Sequence, residues 1–359
     1  MKNIYCILIL SCLLLFSLQC QSQQQGVGDI QHIKWKSQKD FEIRDIVEDV
    51  QYILLENRTE CLFSYIDKLI IEDNRIYILD FDKKSLFVFD ITGKFLHQIG
   101  RMGGGPGEYT RYINFDVYDN IVYVYDFSKR RMLIYDENGK YKESVRPSFR
   151  FFDFYILEQK KYLLSLSHDD DSGDNNNKIV VTGDMKKSEI AHFSFSRDFK
   201  DNKSNVRAFH PFQNKVVYMH PVSDTLYILN GQGNVENGYF FDFGNKKLPE
   251  RLKNDYTEAI KQERDNDYIY ILNTPIRIKE YIFAELSVRN KQRLAVFDIQ
   301  KNKLTYELIT PEKFNIKNIN FPLYAMNDSI LVSFIDYSMY EVAKDKTLLD
   351  SKVIEHLSN

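Results

Sequence analysis

The chain has 359 residues, 43% of them hydrophobic and 14% aromatic, and a net charge of −3. That apolar content supports a sizeable core and excludes a disordered chain, while the weakly acidic balance argues against nucleic acid, whose binders carry basic faces. With 24 Tyr and 26 Phe against one Trp, and many Ile, Val and Leu, the residue types favour strands.

"MKNIYCILILSCLLLFSLQC" opens the chain with one Lys, an almost unbroken apolar run from Ile4 to Leu18, and Cys20 before the polar "QSQQQ". Residues 1–20 read as an export signal. The run is short of the roughly 20 apolar residues of a spanning helix, and no later segment approaches it. Lipidation at Cys20 makes an outer-membrane lipoprotein held only by its lipid anchor, although that signal wants a small residue where Gln19 stands. Ser11 before Cys12 fits that rule with a very short apolar core, and cleavage after Ser22 gives a soluble periplasmic protein. Cys6, Cys12 and Cys20 all lie in the signal, so the body keeps Cys61 alone and forms no internal bridge. Loss of residues 1–20 removes Lys2 and leaves a net charge of −4.

Residues 21–49 read as an N-terminal extension. Beyond it, "RIYILDFDKKSLFVFDITGKFLHQI" (75–99) and "VYVYDFSKRRMLIYDENGKYKESV" (122–145) share one frame. Asp80 pairs with Asp126, Asp90 with Asp136 and Gly93 with Gly139, each 46 residues apart. A repeat of about 40 to 50 residues with four strands per unit is the signature of a propeller blade. Inner strands precede each set in "YIDKLIIE" (65–72) and "YINFDVYD" (112–119), and Asp73-Asn74 and Asn138-Gly139 suit tight hairpins. Looser copies follow at 149–195, 206–242, about 269–309 and from 319 onward. The expectation is an all-β, six-bladed propeller over 50–359. "VQYILLE" (50–56) would supply the missing outer strand of the last blade and remove a free sheet edge. "LPERLKNDYTEAIKQERDND" (248–267) reads as one short helical insertion between the fourth and fifth blades.

The "IG…GGGPGEY" segment after "D…LFVFDITGKF", the "SDTLYIL…FDFGNKKLP" segment and "FEIRDIVEDVQYILLE" resemble the six-bladed β-propeller lipoproteins of Gram-negative bacteria, which are related to NHL-repeat propellers. The resemblance covers roughly residues 40–345 and implies the fold and an exported location. It brings no activity and no catalytic residues. Met102 and Gly104 stand where polar residues are common in that family.

"IGRMGGGPGEYTRY" (99–112) has the glycines of a phosphate cradle without its setting. Such a loop runs from a strand into a helix whose amides meet the anion, whereas a strand follows here, the Lys-Ser/Thr pair is missing, and Gly103, Gly105 and Glu108 fail the dinucleotide spacing. The segment is expected to cross from the outer strand of the first blade to the inner strand of the second, with glycines supplying positive backbone angles and Pro106 stiffness. Crossovers and middle-strand turns gather on one propeller face around the channel mouth. Arg101, Glu108, Tyr109, Arg111, Arg207, His210 and His220 should sit there as candidate ligand-binding residues. Arg146, Arg150, Lys83-Lys84 and Lys129-Arg130 share that face. Their charges form either a solvated rim, paired among themselves, or a recognition surface for an anionic glycan or a protein partner.

No catalytic, metal or cofactor residues are assigned. "HDDDSGDNNN" (168–177) places His168 and Ser172 at ligand positions of a calcium hand, which rules that motif out. Zinc spacing and a serine nucleophile elbow are both missing. The leading expectation is a non-catalytic binding or scaffold module, monomeric, with no cofactor. The alternative is a propeller hydrolase or lyase resembling calcium-dependent lactonases, with Asp67, Asn114, Asp116, Asp153 and Asn273 around a metal in the channel.

Overall fold

The computed structural model describes residues 28–35, 51–158, 160–168, 177–195, 207–289, 291–306 and 320–334. Cys20, the rest of the export signal and residues 169–176 of the acidic run lie outside them. After β1 (Ile30–Lys34), the chain builds a first sheet from β2 (Lys68–Glu72), β3 (Arg75–Asp80), β4 (Ser85–Asp90) and β5 (Phe95–Ile99). Two short strands, β6 (Arg101–Met102) and β7 (Glu108–Tyr109), lead to a second, of β8 (Ile113–Tyr118), β9 (Ile121–Asp126), β10 (Arg131–Asp136) and β11 (Tyr141–Val145). The third holds β12 (Phe151–Glu158), β13 (Lys161–Leu166), β14 (Asn177–Thr182) and β15 (Ile190–Ser194). The fourth holds β16 (Phe209–Phe212), β17 (Lys215–Tyr218), β18 (Thr225–Leu229) and β19 (Val235–Asp242). In the fifth, β20 (Ile269–Ile271) and β21 (Ile276–Ile278) share one edge of β22 (Tyr281–Val288), followed by β23 (Lys291–Asp298) and β24 (Lys303–Tyr306).

The middle strands explain why these sheets stack. β3 and β9 are buried from their second residue to their last, because a neighbouring sheet covers each face and the sequence answers with continuous apolar runs. The outer strand β11, by contrast, has no buried residue. Apolar clusters join the first sheet to the second through Tyr77, Leu79 and Phe115, the second to the third through Tyr125 and Phe151, the third to the fourth through Leu163 and Tyr218, and the fourth to the fifth through Phe241 and Phe297.

The turns repeat as well. Asp90 Oδ1 accepts from the amides of Thr92 and Lys94 at 2.9 and 3.1 Å, Asp136 Oδ1 from those of Asn138 and Lys140 at 3.1 and 3.0 Å, and Asn230 Oδ1 from those of Gln232 and Asn234, both at 3.0 Å. These side chains close the turn between third and fourth strands by occupying its free amides. Asp73 and Asn74 both adopt positive φ, at 47° and 60°, the geometry their hairpin demands.

Among the described residues there are five such blades, not six. After the fifth blade, the described residues form a two-stranded sheet of β25 (Asn320–Ala325) and β26 (Leu331–Phe334). Leu323, Ala325 and Leu331 pack against the fifth blade, and Tyr324, Val332 and Phe334 against the first.

The expected closing strand at 50–56 is also corrected, since residues 51–56 form no strand. Glu56 instead ties this segment to the last turn of the first blade: its amide donates to Gly93 O at 2.8 Å, and its Oε2 accepts from Phe95 N at 2.9 Å. The N-terminal strand is β1, which pairs in parallel with β19 on the outside of the fourth blade, Ile30 opposite Gly238. Ile33 is fully buried in the cluster between the fourth and fifth blades. A Cβ at Gly28 would stand 1.6 Å from Glu236 O, so glycine permits the approach.

The helical insertion is present as α1 (Glu250–Lys253) and α2 (Tyr256–Asn266). Asp255 caps α2 by accepting from Glu258 N at 3.0 Å. Leu252 and Ala259 bury against Val222 and Tyr270.

Candidate functional site

The antiparallel meander fixes what lies on each face of the propeller. Blade-to-blade crossovers and the turns between second and third strands share the channel-mouth face; turns between first and second, and third and fourth, strands lie on the opposite one. Two aspartates organise the mouth. Asp80 Oδ2 accepts from Ser64 N at 2.5 Å and its Oδ1 from Lys83 N at 2.8 Å. Asp126, in the same place in the second blade, accepts from Thr110 N at 2.9 Å, Thr110 Oγ1 at 2.6 Å and Lys129 N at 3.1 Å. Each carboxylate binds its middle turn to the arriving crossover.

The glycine-rich crossover does cradle an anion, but one of its own. Glu108 Oε2 accepts from Gly105 N at 2.7 Å, and Glu108 Oε1 from Arg101 Nε at 2.8 Å. The Gly105 amide and the Arg101 guanidinium hold this carboxyl below its ordinary value. A Cβ on Gly103 would fall 2.2 Å from Glu108 Oε2. Gly107 has φ +69°, and a Cβ there would meet Tyr141 Cβ at 2.8 Å. The loop is clamped to the second blade by Arg131 Nη2 on Glu108 O at 2.5 Å and Tyr135 Oη on Gly107 O at 3.0 Å.

Beneath the mouth, the inner strands meet in a buried polar network. Lys68 on β2, Asn114 on β8 and Asp153 on β12 are 7%, 3% and 0% exposed. Lys68 Nζ donates to Asp153 Oδ1 at 2.8 Å and to Asn114 Oδ1 at 3.1 Å. Asn114 Nδ2 donates to Asp153 Oδ1 at 2.9 Å. Asp153 Oδ2 accepts from the amides of Ala208 and Phe209 at 2.7 and 3.2 Å, which brings in the fourth blade. Next along the axis, Asp116 Oδ2 accepts from Ile156 N at 2.7 Å. Burial pushes the Asp116 carboxyl up to about 7, against the pull of Lys68. Burial, helped by the charge of Asp116, raises Glu72 to about 7 as well.

The candidate rim residues separate on inspection. Arg101 and Arg111 are exposed and Arg207 and His220 partly so, with Arg111 over the Tyr112 ring at 5.4 Å and Arg207 over that of Tyr324 at 5.5 Å. Tyr109 is fully buried, its hydroxyl donating to Ile99 O at 2.9 Å; it packs the first blade to the second and is not a rim residue. His210 is also buried, and desolvation takes its imidazole down to about 3. Among the described residues, the exposed aromatics of this face are Tyr65 and Tyr112, 54% and 53% exposed, neither singled out by the sequence.

The candidate channel acids do not gather around a cation. Asp67 accepts from Phe81 N at 2.7 Å and Asn273 donates to Glu285 Oε2 at 2.6 Å, while Lys68 places an ammonium between Asn114 and Asp153. A divalent ion at that point would face a fixed positive charge, so these residues do not fit a metal in the lactonase manner. Among the described residues no group of three or more His, Cys, Asp or Glu could hold one.

A β-propeller with a buried polar network between its inner strands and a carboxylate-filled glycine loop is the class these features define. The chain belongs to the domain of unknown function family DUF4934, whose model matches residues 29–358. Membership in this family shows neither a lipoprotein nor an NHL-repeat propeller. No curated protein matches the chain. Among solved structures, it is similar to a candidate exported protein of Bacteroides fragilis, with a TM-score of 0.77 at 19% identity, over 91% of this chain and 95% of that one; this shows the fold alone. A member of the DUF4221 family from Bacteroides vulgatus matches at 11% identity over 70% of this chain and 83% of that one, with a TM-score of 0.43. No helix among the described residues is long and apolar enough to cross a membrane.

Two outcomes follow from this geometry. Gly107→Ala should lower stability by more than about 1 kcal/mol, since Ala at positive φ is strained, whereas Gly104→Ala, with its nearest neighbour 3.8 Å from an added Cβ, should leave thermal melting nearly unchanged. Asp116 carries a folded pKa raised above its unfolded value, so its contribution is complete below about pH 4 and is lost as pH rises to about 7. The low pKa of His210 tilts the whole-protein profile the other way in acid, so the test is a difference. Asp116→Asn should come nearest the parent at about pH 4 and exceed its melting temperature by a margin that grows up to about pH 7.

Proposed function

We propose that this chain is an exported, non-catalytic binding propeller whose channel-mouth face takes a carbohydrate. The observation that carries the reading is the pair of half-exposed tyrosines, Tyr65 and Tyr112, at the starts of the first two blades, with Arg111 stacked on Tyr112. Large aromatic faces left open to water offer apolar area at low conformational cost, and Arg101, Arg111 and Arg207 supply donors for anionic substituents. Beneath them the Lys68 network commits the buried polar groups of four inner strands to one another, which favours binding at the mouth over chemistry within the channel.

Export is supported by the apolar leader and by the B. fragilis relative, and the reading includes lipidation at Cys20 and a monomer that works without a cofactor. The sheet of β25 and β26 is proposed as the inner half of a sixth blade, since it packs on both the first and the fifth.

Screening of the mature chain on a glycan array should find an acidic or neutral saccharide ligand. Tyr65→Ala with Tyr112→Ala should then weaken its capture roughly tenfold or more while leaving melting unchanged. A protein partner captured with no loss in that double variant would contradict the reading, and so would an array without a ligand.

A further inference from the structure

A cavity lies on the face opposite the channel mouth. It has a volume of about 380 Å³ and opens between the fourth and fifth blades, under the turn of β25 and β26. Its wall carries Arg277 on β21 and Phe212 at the end of β16, and its rim carries Gln213, Ile299, Gln300 and Asp328. All four rim residues sit in turns of the face away from the channel mouth. The volume lies within the range of about 300 to 1,000 Å³ typical of small-molecule sites.

Arg277 is the unusual member. Its guanidinium stacks on the Phe212 ring at 4.1 Å and on Tyr239 at 5.4 Å, so its plane is held by two aromatic faces. Its Nε is buried and has no hydrogen-bond acceptor among the described residues, and no ion pair joins it to a carboxylate there. Burial pulls its pKa below the ordinary arginine value, with Tyr239 opposing, yet an arginine stays protonated. A partly desolvated cation without a counter-charge is costly unless something supplies one. The exposed ammonium of Lys279 does not. Glu280 and Asp328 line the cavity without engaging the guanidinium, which leaves them free to accept from hydroxyl groups. The amides of Gln213 and Gln300 can both donate and accept.

We propose that this cavity binds a small polyhydroxylated carboxylate the size of one sugar acid, with its carboxylate on Arg277, its hydroxyls on the Gln213, Gln300 and Asp328 side chains, and its apolar edge on Ile299. A planar guanidinium recognises a carboxylate through two parallel hydrogen bonds. The ring volume fits the cavity, and the mixed donors and acceptors of the rim suit hydroxyls better than they suit an apolar body.

Titration calorimetry on the mature chain tests this with glucuronate as the probe and glucuronamide, its neutral isostere, as the control. Glucuronate should bind, and glucuronamide roughly tenfold or more weakly, as the loss of a charge-assisted pair implies. Arg277→Gln should remove that preference, and Gln300→Ala, at an exposed rim position, should weaken glucuronate without moving the melting temperature. Tyr65→Ala with Tyr112→Ala should leave it unchanged, which separates this site from the channel mouth. Failure of glucuronate to bind at millimolar concentration, equal binding of the amide, or loss of binding in the tyrosine variant with retention in Gln300→Ala would each overturn the proposal. The first two comparisons need only the parent protein and hold even if Arg277→Gln does not fold.

Discussion

The contact between Lys68 and Asp153 is the constraint on which the rest of this propeller depends. Inner strands of a propeller converge, and whatever side chains they aim at the axis must share a narrow space with those of other blades. Here the first blade contributes an ammonium, the second an amide, the third a carboxylate and the fourth two backbone amides. Asp153 is fully buried and is tolerable only because each of its oxygens has partners. No blade satisfies the network alone. The ion pair therefore rewards one spacing and one rotation of four blades, whereas the apolar clusters between sheets would accept small slips.

The channel-mouth face shows the same economy at smaller scale. Asp80 and Asp126 bind the crossovers to the middle turns, and Glu108 fills the glycine loop that would otherwise be an anion cradle. With these three carboxylates committed internally, the face presents Arg101, Arg111, Tyr65 and Tyr112 to solvent. That division sets internally satisfied acids apart from outward aromatics on one face.

Much of this was legible in the residues, and the misses have physical causes. The 46-residue spacing of Asp80 with Asp126 and Asp90 with Asp136 identified the blades because those carboxylates close turns that every blade must make. The same frame sets Lys68 against Asn114, but a search of the inner strands for acids passed over a lysine, whose burial is unusual without a partner that sequence distance conceals. Tyr109 and Tyr112 stand three residues apart in one crossover, and which of them is buried depends on how the loop folds back on Tyr135, not on local alternation. Residues 50–56 have the composition of a strand, yet Glu56 finds its partners at the Gly93 turn. The described strand that precedes the first blade is β1, and it adds to the outer edge of β19 in the fourth blade, through the buried Ile33 and the close approach at Gly28. Arg277 escaped notice because the rings that hold it come from the fourth blade, far off in sequence.

A double-mutant cycle between Lys68→Met and Asp153→Asn, read by denaturant unfolding, bears most directly on the role of the axis. Each single variant should lose about 3 to 5 kcal/mol, since each leaves a buried partner uncompensated. The double variant should be clearly more stable than the sum of the two losses implies, with a coupling of roughly 2 kcal/mol or more. Additive losses, or single variants that melt with the parent, would mean that the blades are held by apolar packing alone and that the axis is not what sets their arrangement.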